Sequence, residues 1–259
     1  MIAAAALPLR AHQEIEDALA RLNAAITAAP DDAELYLTRG ELYAQHEEFL
    51  TAEANYLRAA ELSPRLPRLA LAQGRLALAQ QHLTEARSHL DRALALDPRD
   101  AEALIVRARA HFAGGDRGRA IADYTAALAL LPQPRPELFL ERAAYFPAPA
   151  DALRSLDEGI ARLGPVHTLQ RRALALEESL GRIEAALARI DEMMAQTERR
   201  ETWLKHRGDV LARAGRHAEA RAAYALAMAE IAALPDWLRD SPATQQLATE
   251  LARLGSPAS

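Results

Sequence analysis

The chain contains no cysteine, few aromatic residues and no long apolar run. Without cysteine, disulfides, thiolate metal ligands and a cysteine nucleophile are all excluded. No apolar run approaches the roughly 18 residues that a membrane-spanning helix needs, so we expect no membrane insertion. The formal net charge of −5 comes from interspersed acidic and basic residues. Because such a mixture creates no large positive field, we also expect no nucleic-acid binding.

The residues that are abundant favour helices. Half of the 259 residues are apolar, which is enough to bury a core, whereas aromatic residues make up 5%. Alanine, leucine, arginine and glutamate dominate, and all four are strong helix formers. The composition therefore predicts an all-α protein whose helices pack closely through small side chains.

A period of 34 residues organises the first half of the chain. It is seen in three sets of residues: Pro30, Pro64, Pro98 and Pro132; Ala18, Ala52, Ala86 and Ala120; and Ala25, Ala59, Ala93 and Ala127. A large residue follows four positions after each alanine of the second set: Leu22, Tyr56, Leu90 and Tyr124. A preceding segment carries Gly40, Gly74 and Ala108 at the same step. The period and these spacings predict two helices per repeat, which we call helix A and helix B.

This pattern resembles the tetratricopeptide repeat family. The match is fullest in the residues Tyr36, Gly40, Tyr43, Ala52, Tyr56, Ala59 and Pro64. The resemblance implies an all-α fold, a right-handed α-solenoid of stacked helix-turn-helix hairpins with a C-terminal capping helix. The fourth repeat lacks about one helical turn around residues 147–149, where two prolines break the helix, and the fifth repeat contains a one-residue slip.

We expect four segments along the chain. Residues 1–11 are a tail or the remnant of a signal segment, and residues 12–31 are a half-repeat that supplies helix B alone. Residues 32–235 form six repeats, and residues 236–259 form the capping helix and its tail. In that cap, Ser241 is the expected N-cap residue, and the expected inward-facing residues are Leu247, Leu251 and Leu254.

No motif predicts catalysis, a cofactor or a metal site. The glycine-rich string 114–118 lacks the Lys-Ser/Thr ending of a phosphate-binding loop, and it falls where helix A turns into helix B. The eight histidines include no His-Glu-x-x-His string, and no two of them lie four residues apart as metal ligands on a helix do. We therefore interpret the glycine-rich string as a turn and the protein as a non-enzyme that needs no cofactor.

The resemblance also implies a peptide-binding groove, because helix A lines the concave wall in this family. Carrying the family's positions over gives Glu34, Leu37 and Glu41; Arg68, Leu71 and Arg75; Glu102, Ile105 and Arg109; and Glu137 and Leu140. The four aliphatic residues recur at one position of successive repeats. We expect them to form a row of apolar anchors for an extended or helical peptide, flanked by charged residues.

Arginine recurs at another position of helix A, immediately before the small residue. Its members are Arg39, Arg107, Arg142, Arg172 and Arg207. One hypothesis is an arginine ladder for acidic ligands. We favour the other, in which each aliphatic stem packs between helices while the guanidinium pairs with a neighbouring acid or carbonyl group.

The predicted function is a scaffold or adaptor that binds a protein or peptide. Two alternatives remain open, namely a helper subunit of an envelope or secretion-associated complex, and a self-associating homodimer. The scarcity of aromatic residues in the expected groove argues against a sensor that stacks on sugars or bases. The compartment is the cytoplasm by default, or the periplasm if residues 1–11 are the remnant of a signal peptide.

Overall fold

The computed structural model describes residues 6–255, which form fifteen helices and, within that range, no strand. The residues fall into two compact units, Met1–Pro134 and Arg135–Ser259. The N-terminal unit contains α1 (Ala6–Ala28), α2 (Ala33–Gln45), α3 (Phe49–Leu62), α4 (Pro67–Ala79), α5 (Leu83–Leu96), α6 (Ala101–Ala113) and α7 (Arg117–Leu130). The C-terminal unit contains α8 (Pro136–Tyr145), α9 (Pro149–Leu163), α10 (His167–Ser179), α11 (Ile183–Met194), α12 (Glu201–Arg213), α13 (His217–Ala233), α14 (Asp236–Arg239) and α15 (Pro242–Gly255).

The N-terminal unit consists of α1 followed by three hairpins. Helix α1 supplies the half-repeat, and it begins six residues before the expected boundary at residue 12. The hairpins are α2 with α3, α4 with α5, and α6 with α7, and each is packed along its length. Aspartates that precede α2 and α6 accept hydrogen bonds from the first free N–H groups of those helices. These caps explain why the helices begin after Asp32 and Asp100.

The C-terminal unit contains three further hairpins. Helix α8 has 10 residues where the other A helices have 13, which confirms the missing turn that the prolines at 147 and 149 predict. Pro149 is the first residue of α9, where its lack of an N–H group costs nothing. The expected signal remnant falls partly on residues 1–5, outside the described residues.

Small residues of helix A lie directly under large residues of helix B. A Cβ atom added to Gly40 would stand 2.5 Å from Cε1 of Tyr56, and one added to Gly208 would stand 2.2 Å from Cε1 of Tyr224. These distances are far below van der Waals contact, so only glycine allows the two helices to approach this closely. The Gly-to-Tyr spacing in the sequence therefore records a packing contact.

Five of the six turns from helix A to helix B share one backbone conformation, and the turn of the shortened fourth hairpin is the exception. The residues with positive φ at this repeat position are Glu47, Gln81, Gly115, Gly181 and Gly215, with φ between 61° and 84°. Gly115 belongs to the glycine-rich string, whose interpretation as a turn is thus confirmed. In the other two glycine-containing turns, the glycine likewise adopts the left-handed conformation without strain.

A capping helix closes the C-terminal unit, as expected. The Ser241 hydroxyl accepts a hydrogen bond from the N–H of Thr244 at 3.4 Å, and α15 then runs to Gly255. Leu251 is buried in a core that includes Tyr224 and Ile231, while Leu247 and Leu254 pack against its margin. The apolar face of α15 thus covers the last hairpin, which would otherwise be open to water.

Candidate protein-binding surface

Charged residues predicted to line a groove pair with one another across successive A helices of the N-terminal unit. The guanidinium of Arg68 on α4 lies 2.7 Å from Glu41 and 3.6 Å from Glu34, both on α2. Farther along α4, Arg75 lies 2.9 Å from Glu102 on α6. These contacts place the five residues on one face of the unit.

The ion pairs are open to water. About half of each side chain of Arg75 and Glu102 is exposed, and Arg68 is exposed to a similar degree. Exposed pairs of this kind contribute roughly 0 to 1 kcal/mol each, because solvent screens the attraction and the long side chains lose freedom. We call this set of ion pairs the ion-pair ladder. Its charged groups can exchange their partners within the protein for charges of a ligand at little cost.

A cleft of about 370 Å³ lies beside this ladder, between α2 and α4 with α3 as its floor. Glu41, Arg68 and Arg75 line it, together with the aromatic side chains Phe49 and Tyr56. Burial raises the pKa of Tyr56, Glu41 raises it further, and Arg75 opposes that shift. The phenol therefore stays protonated, and it lies almost fully buried beside Glu41 and Arg75.

Arg109 occupies the position on α6 that Arg75 occupies on α4. Its Nε donates to the phenol oxygen of Tyr124 at 3.3 Å. Tyr124 is fully buried, so this contact attaches the arginine to the rim of its own hairpin. The remaining two predicted residues, Glu137 and Leu140, lie on α8 in the C-terminal unit, where Glu137 is exposed and Leu140 is half-buried.

The structure corrects the expected row of apolar anchors. Leu37, Leu71 and Ile105 are 0%, 9% and 3% exposed, so they belong to the core and offer no open surface to a ligand. The reason is helical geometry. Each lies three residues before the small residue of its helix, and a spacing of three places both on the face that packs against helix B.

The recurrent arginines of helix A form structural clamps. Arg107 donates two hydrogen bonds to the Asp123 carboxylate, at 2.8 and 2.7 Å, and a third to Asp91 at 2.7 Å. Asp123 is on helix B of the same repeat, whereas Asp91 is on helix B of the preceding one. The hydrogen bond to Asp123 is the largest of the effects that raise the pKa of Arg107. The bidentate pair therefore ties the two helices of one hairpin together, and the bond to Asp91 links that hairpin to the preceding one.

Related contacts recur in three more repeats, and in one of them, at Arg39, they reach helix B of both the same and the preceding repeat. Arg39 donates to Asn55 and Asn23, at 2.7 and 2.6 Å. In the C-terminal unit, Arg142 donates to the Ser155 hydroxyl and the Glu158 carboxylate, and Arg207 donates to Asp191 and the Leu187 carbonyl. These contacts support pairing within the protein over a ladder for acidic ligands.

Arg172 departs from this pattern, which corrects its place in the recurrence. It is exposed, and the fifth repeat uses Arg189 of helix B instead. Arg189 donates to Glu177 on helix A and to Asp157 on the preceding helix B. Because Arg189 stands where the third repeat carries Asp123, an inward Arg172 would meet a like charge.

The partners of the clamps could have been found in the sequence. They lie 16 residues before and after the arginine in two repeats, at Asn23 and Asn55 around Arg39, and at Asp91 and Asp123 around Arg107. A search for amide or carboxylate side chains at this spacing would separate the clamps from the exposed Arg172. Across the described part of the chain, no group of acidic or histidine side chains forms a metal site.

The sequence profile of the Tetratricopeptide repeat family matches residues 4–67 and 71–133, and the hairpins continue through the C-terminal unit. The chain belongs to the tetratricopeptide repeat family. No curated protein sequence matches it. Within residues 6–255, no helix is both long and apolar enough to span a membrane.

Solved structures share the fold at low sequence identity. The crystal structure of PilW, a type IV pilus biogenesis factor, is 21% identical with a TM-score of 0.58, over 76% of this chain and 94% of PilW. A tetratricopeptide repeat protein from Parabacteroides merdae ATCC 43184 is 15% identical with a TM-score of 0.54, over 95% of both chains. A structure of Naa15/Naa10 bound to HypK-THB is 17% identical with a TM-score of 0.55. The match spans 95% of this chain but 40% of that chain. At these identities the similarity shows the fold alone.

Proposed function

We propose that the protein is a non-enzymatic scaffold that binds a protein or peptide on the A-helix surface of its N-terminal unit. The fold is typical of protein-interaction scaffolds. The surface in question is the cleft between α2 and α4 and the ion-pair ladder that borders it. A partner would contribute charges to the ladder and an apolar or aromatic side chain to the cleft.

The observation that carries this proposal is the convergence of Glu41, Arg68 and Arg75 at one cleft. Both signs of charge are present within a few ångströms, and the apolar side chains that line the cleft include the half-buried Phe49. Interfaces commonly combine an aromatic pocket with a charged rim in this way. The burial of Leu37 and Leu71 leaves this cleft, rather than an aliphatic row, as the place for an anchor.

The test is affinity purification from the source cell with wild type and the double variant Arg68→Ala, Arg75→Ala. The matched control removes two arginines from B helices, Arg58→Ala with Arg92→Ala. We expect wild type and control to recover the same partner and the cleft variant to recover several-fold less. Thermal unfolding of all three proteins should agree within a few degrees, because exposed ion pairs contribute little to stability.

Equal recovery by the cleft variant and wild type would refute the proposed surface. The identity of the recovered protein decides between the two alternatives. A second copy of this chain would favour a homodimer, and components of one envelope assembly would favour a helper subunit. Resemblance to PilW gives no preference between them, because it concerns the fold.

A further inference from the structure

A second cleft, of about 360 Å³, lies within the C-terminal unit. Its walls are the A helices α10 and α12, and the residues that matter for a ligand are His167, Arg171, Leu174, Glu178, Trp203 and His206. The volume falls in the range of ligand pockets, roughly 300 to 1,000 Å³.

Trp203 lies between two imidazole rings. Its ring centroid is 6.0 Å from that of His167 and 6.1 Å from that of His206, and both pairs are edge-to-face. The indole is half-buried, so part of its surface faces the cleft, and the buried Leu174 lies beside it. A half-buried tryptophan that packs against neighbouring rings is a typical anchor for an apolar side chain of a partner.

The charged side chains around Trp203 differ in whether they have a partner within the protein. The Glu178 carboxylate is shared between His206 and Arg213, each at 2.5 Å, so its charge is already balanced by the protein. Arg171 lies one helical turn after His167, on the same face of α10, and is exposed. Among the described residues, Arg171 forms no ion pair. The cleft therefore presents one uncompensated cation next to an apolar surface.

We propose that this cleft binds an acidic peptide segment. An apolar side chain of the segment packs on Trp203, and a neighbouring aspartate or glutamate pairs with Arg171. Charge complementarity selects an acidic segment over a basic one, and the indole selects a peptide with an apolar residue over a small anion. The inference rests on the proposed function as a peptide-binding scaffold, and it adds a ligand class and a second location.

The fluorescence of Trp203 can report on peptide binding. The sequence contains two tryptophans, and the other, Trp237, is 76% exposed on α14 and does not line the cleft. In a Trp237→Phe background, emission therefore reports on Trp203 alone. The probe is an N-acetylated, C-amidated hexapeptide with a central Leu-Phe pair flanked by two acidic residues on each side. We expect it to change the emission saturably at low salt.

Two comparisons decide the outcome. Replacing the four acidic residues of the peptide by glutamine should weaken binding on the order of tenfold or more. Arg171→Glu should weaken binding of the acidic peptide by a similar factor, whereas Arg172→Glu, an adjacent exposed arginine outside the cleft, should change it less than about threefold. Because both arginines are exposed, neither variant should unfold the protein, which far-UV circular dichroism checks.

The proposal is overturned by any of three results. These are no saturable response up to about 1 mM peptide, equal affinity for the acidic and glutamine peptides, or equal weakening by Arg171→Glu and Arg172→Glu. The proposed function is tested separately by Arg68→Ala with Arg75→Ala. If that variant loses the native partner while the acidic peptide fails to bind wild type, only the inference about the second cleft is wrong.

Discussion

Arg189 donates to both carboxylate oxygens of Glu177, with N–O distances of 2.8 and 2.7 Å. Both side chains are almost fully buried, and Arg189 also bonds to Asp157 on the preceding helix B. In the third repeat the arginine is on helix A and the acid on helix B, at Arg107 and Asp123. The fifth repeat thus contains an equivalent arginine–carboxylate pair, but the arginine is on helix B and the acid is on helix A.

Removing one partner of this pair should destabilise the C-terminal unit strongly. Arg189→Met leaves the Glu177 carboxylate buried without its main counter-ion, so we expect a loss of roughly 3 to 5 kcal/mol of unfolding free energy. The double variant Arg189→Met, Glu177→Leu should lose less than the sum of the two single variants, with a coupling of about 1 to 3 kcal/mol. Urea unfolding of wild type, the two single variants and the double variant measures this coupling.

Arg172→Ala is the control for that cycle. Arg172 occupies the sequence position of the clamps but is exposed, so we expect its loss to change stability by no more than about 0.5 kcal/mol. A large effect of Arg172→Ala, combined with a small effect of Arg189→Met, would show that the arginine on helix A is the clamp after all.

Gly40→Ala should destabilise the N-terminal unit, although alanine is the better helix former. The added Cβ would stand 2.5 Å from a ring carbon of Tyr56, so the hairpin must open, at a cost of about 1 to 3 kcal/mol. Gly118→Ala is the matched control. There the nearest atom is 3.8 Å from the added Cβ, and helix propensity should stabilise by up to about 1 kcal/mol. Thermal unfolding of both variants should show shifts of opposite sign.

His111 should make stability depend on pH. Its side chain is buried beside Arg107 and Asp123, and Nδ1 has no hydrogen-bond partner. Burial lowers the pKa of His111 below its ordinary value of 6.5. The unfolded chain therefore binds a proton below about pH 6.5 that the folded chain resists, and the folded state loses stability as the pH falls.

His111→Phe removes this contribution. The difference in unfolding free energy between wild type and the variant should be constant above about pH 7.5 and should shift in favour of the variant as the pH falls toward 5. Other titrating groups are common to both proteins and cancel. A difference that stays constant from pH 5 to pH 8 would contradict the assigned shift.

The capping helix should be essential to the C-terminal unit. Leu251 on α15 is 1% exposed, so Leu251→Ala should cost about 2 to 5 kcal/mol through the cavity it leaves. Leu226 on α13 is 58% exposed, and Leu226→Ala should cost far less. Differential scanning calorimetry of the two variants makes the comparison. Similar midpoints would mean that α15 does not cover the core.

The sequence predicts the hairpins well because their signals are local and repeated. Pro149 and Ser241 each satisfy a backbone requirement within a few residues, and the contact of Gly40 with Tyr56 recurs at a fixed spacing, so a pattern identifies all three. The assignment of Leu37 to the groove is wrong, because its burial depends on which face of helix A meets helix B. The spacing of three residues from Leu37 to Gly40 indicates that face, because Gly40 packs against Tyr56 of helix B.

Pairing of charges was harder to predict than packing. Arg172 and Arg107 share a sequence position, yet their environments differ because helix B carries Arg189 in one repeat and Asp123 in the other. The division into two units between Pro134 and Arg135 could not be predicted from the repeat pattern either, because the pattern continues across it. Whether Glu41, Arg68 and Arg75 bind a partner depends on that partner's charges, which this chain does not contain.

The most direct test of the proposed surface is photo-crosslinking in the source cell. A benzophenone amino acid replaces Gln45, which lines the cleft between α2 and α4, or Leu57, which is 56% exposed on α3 and outside that cleft. We expect the probe at Gln45 to trap one specific partner, and Arg68→Ala with Arg75→Ala to abolish the adduct, while the probe at Leu57 traps none. An adduct at Leu57 and none at Gln45 would contradict binding on the A-helix surface.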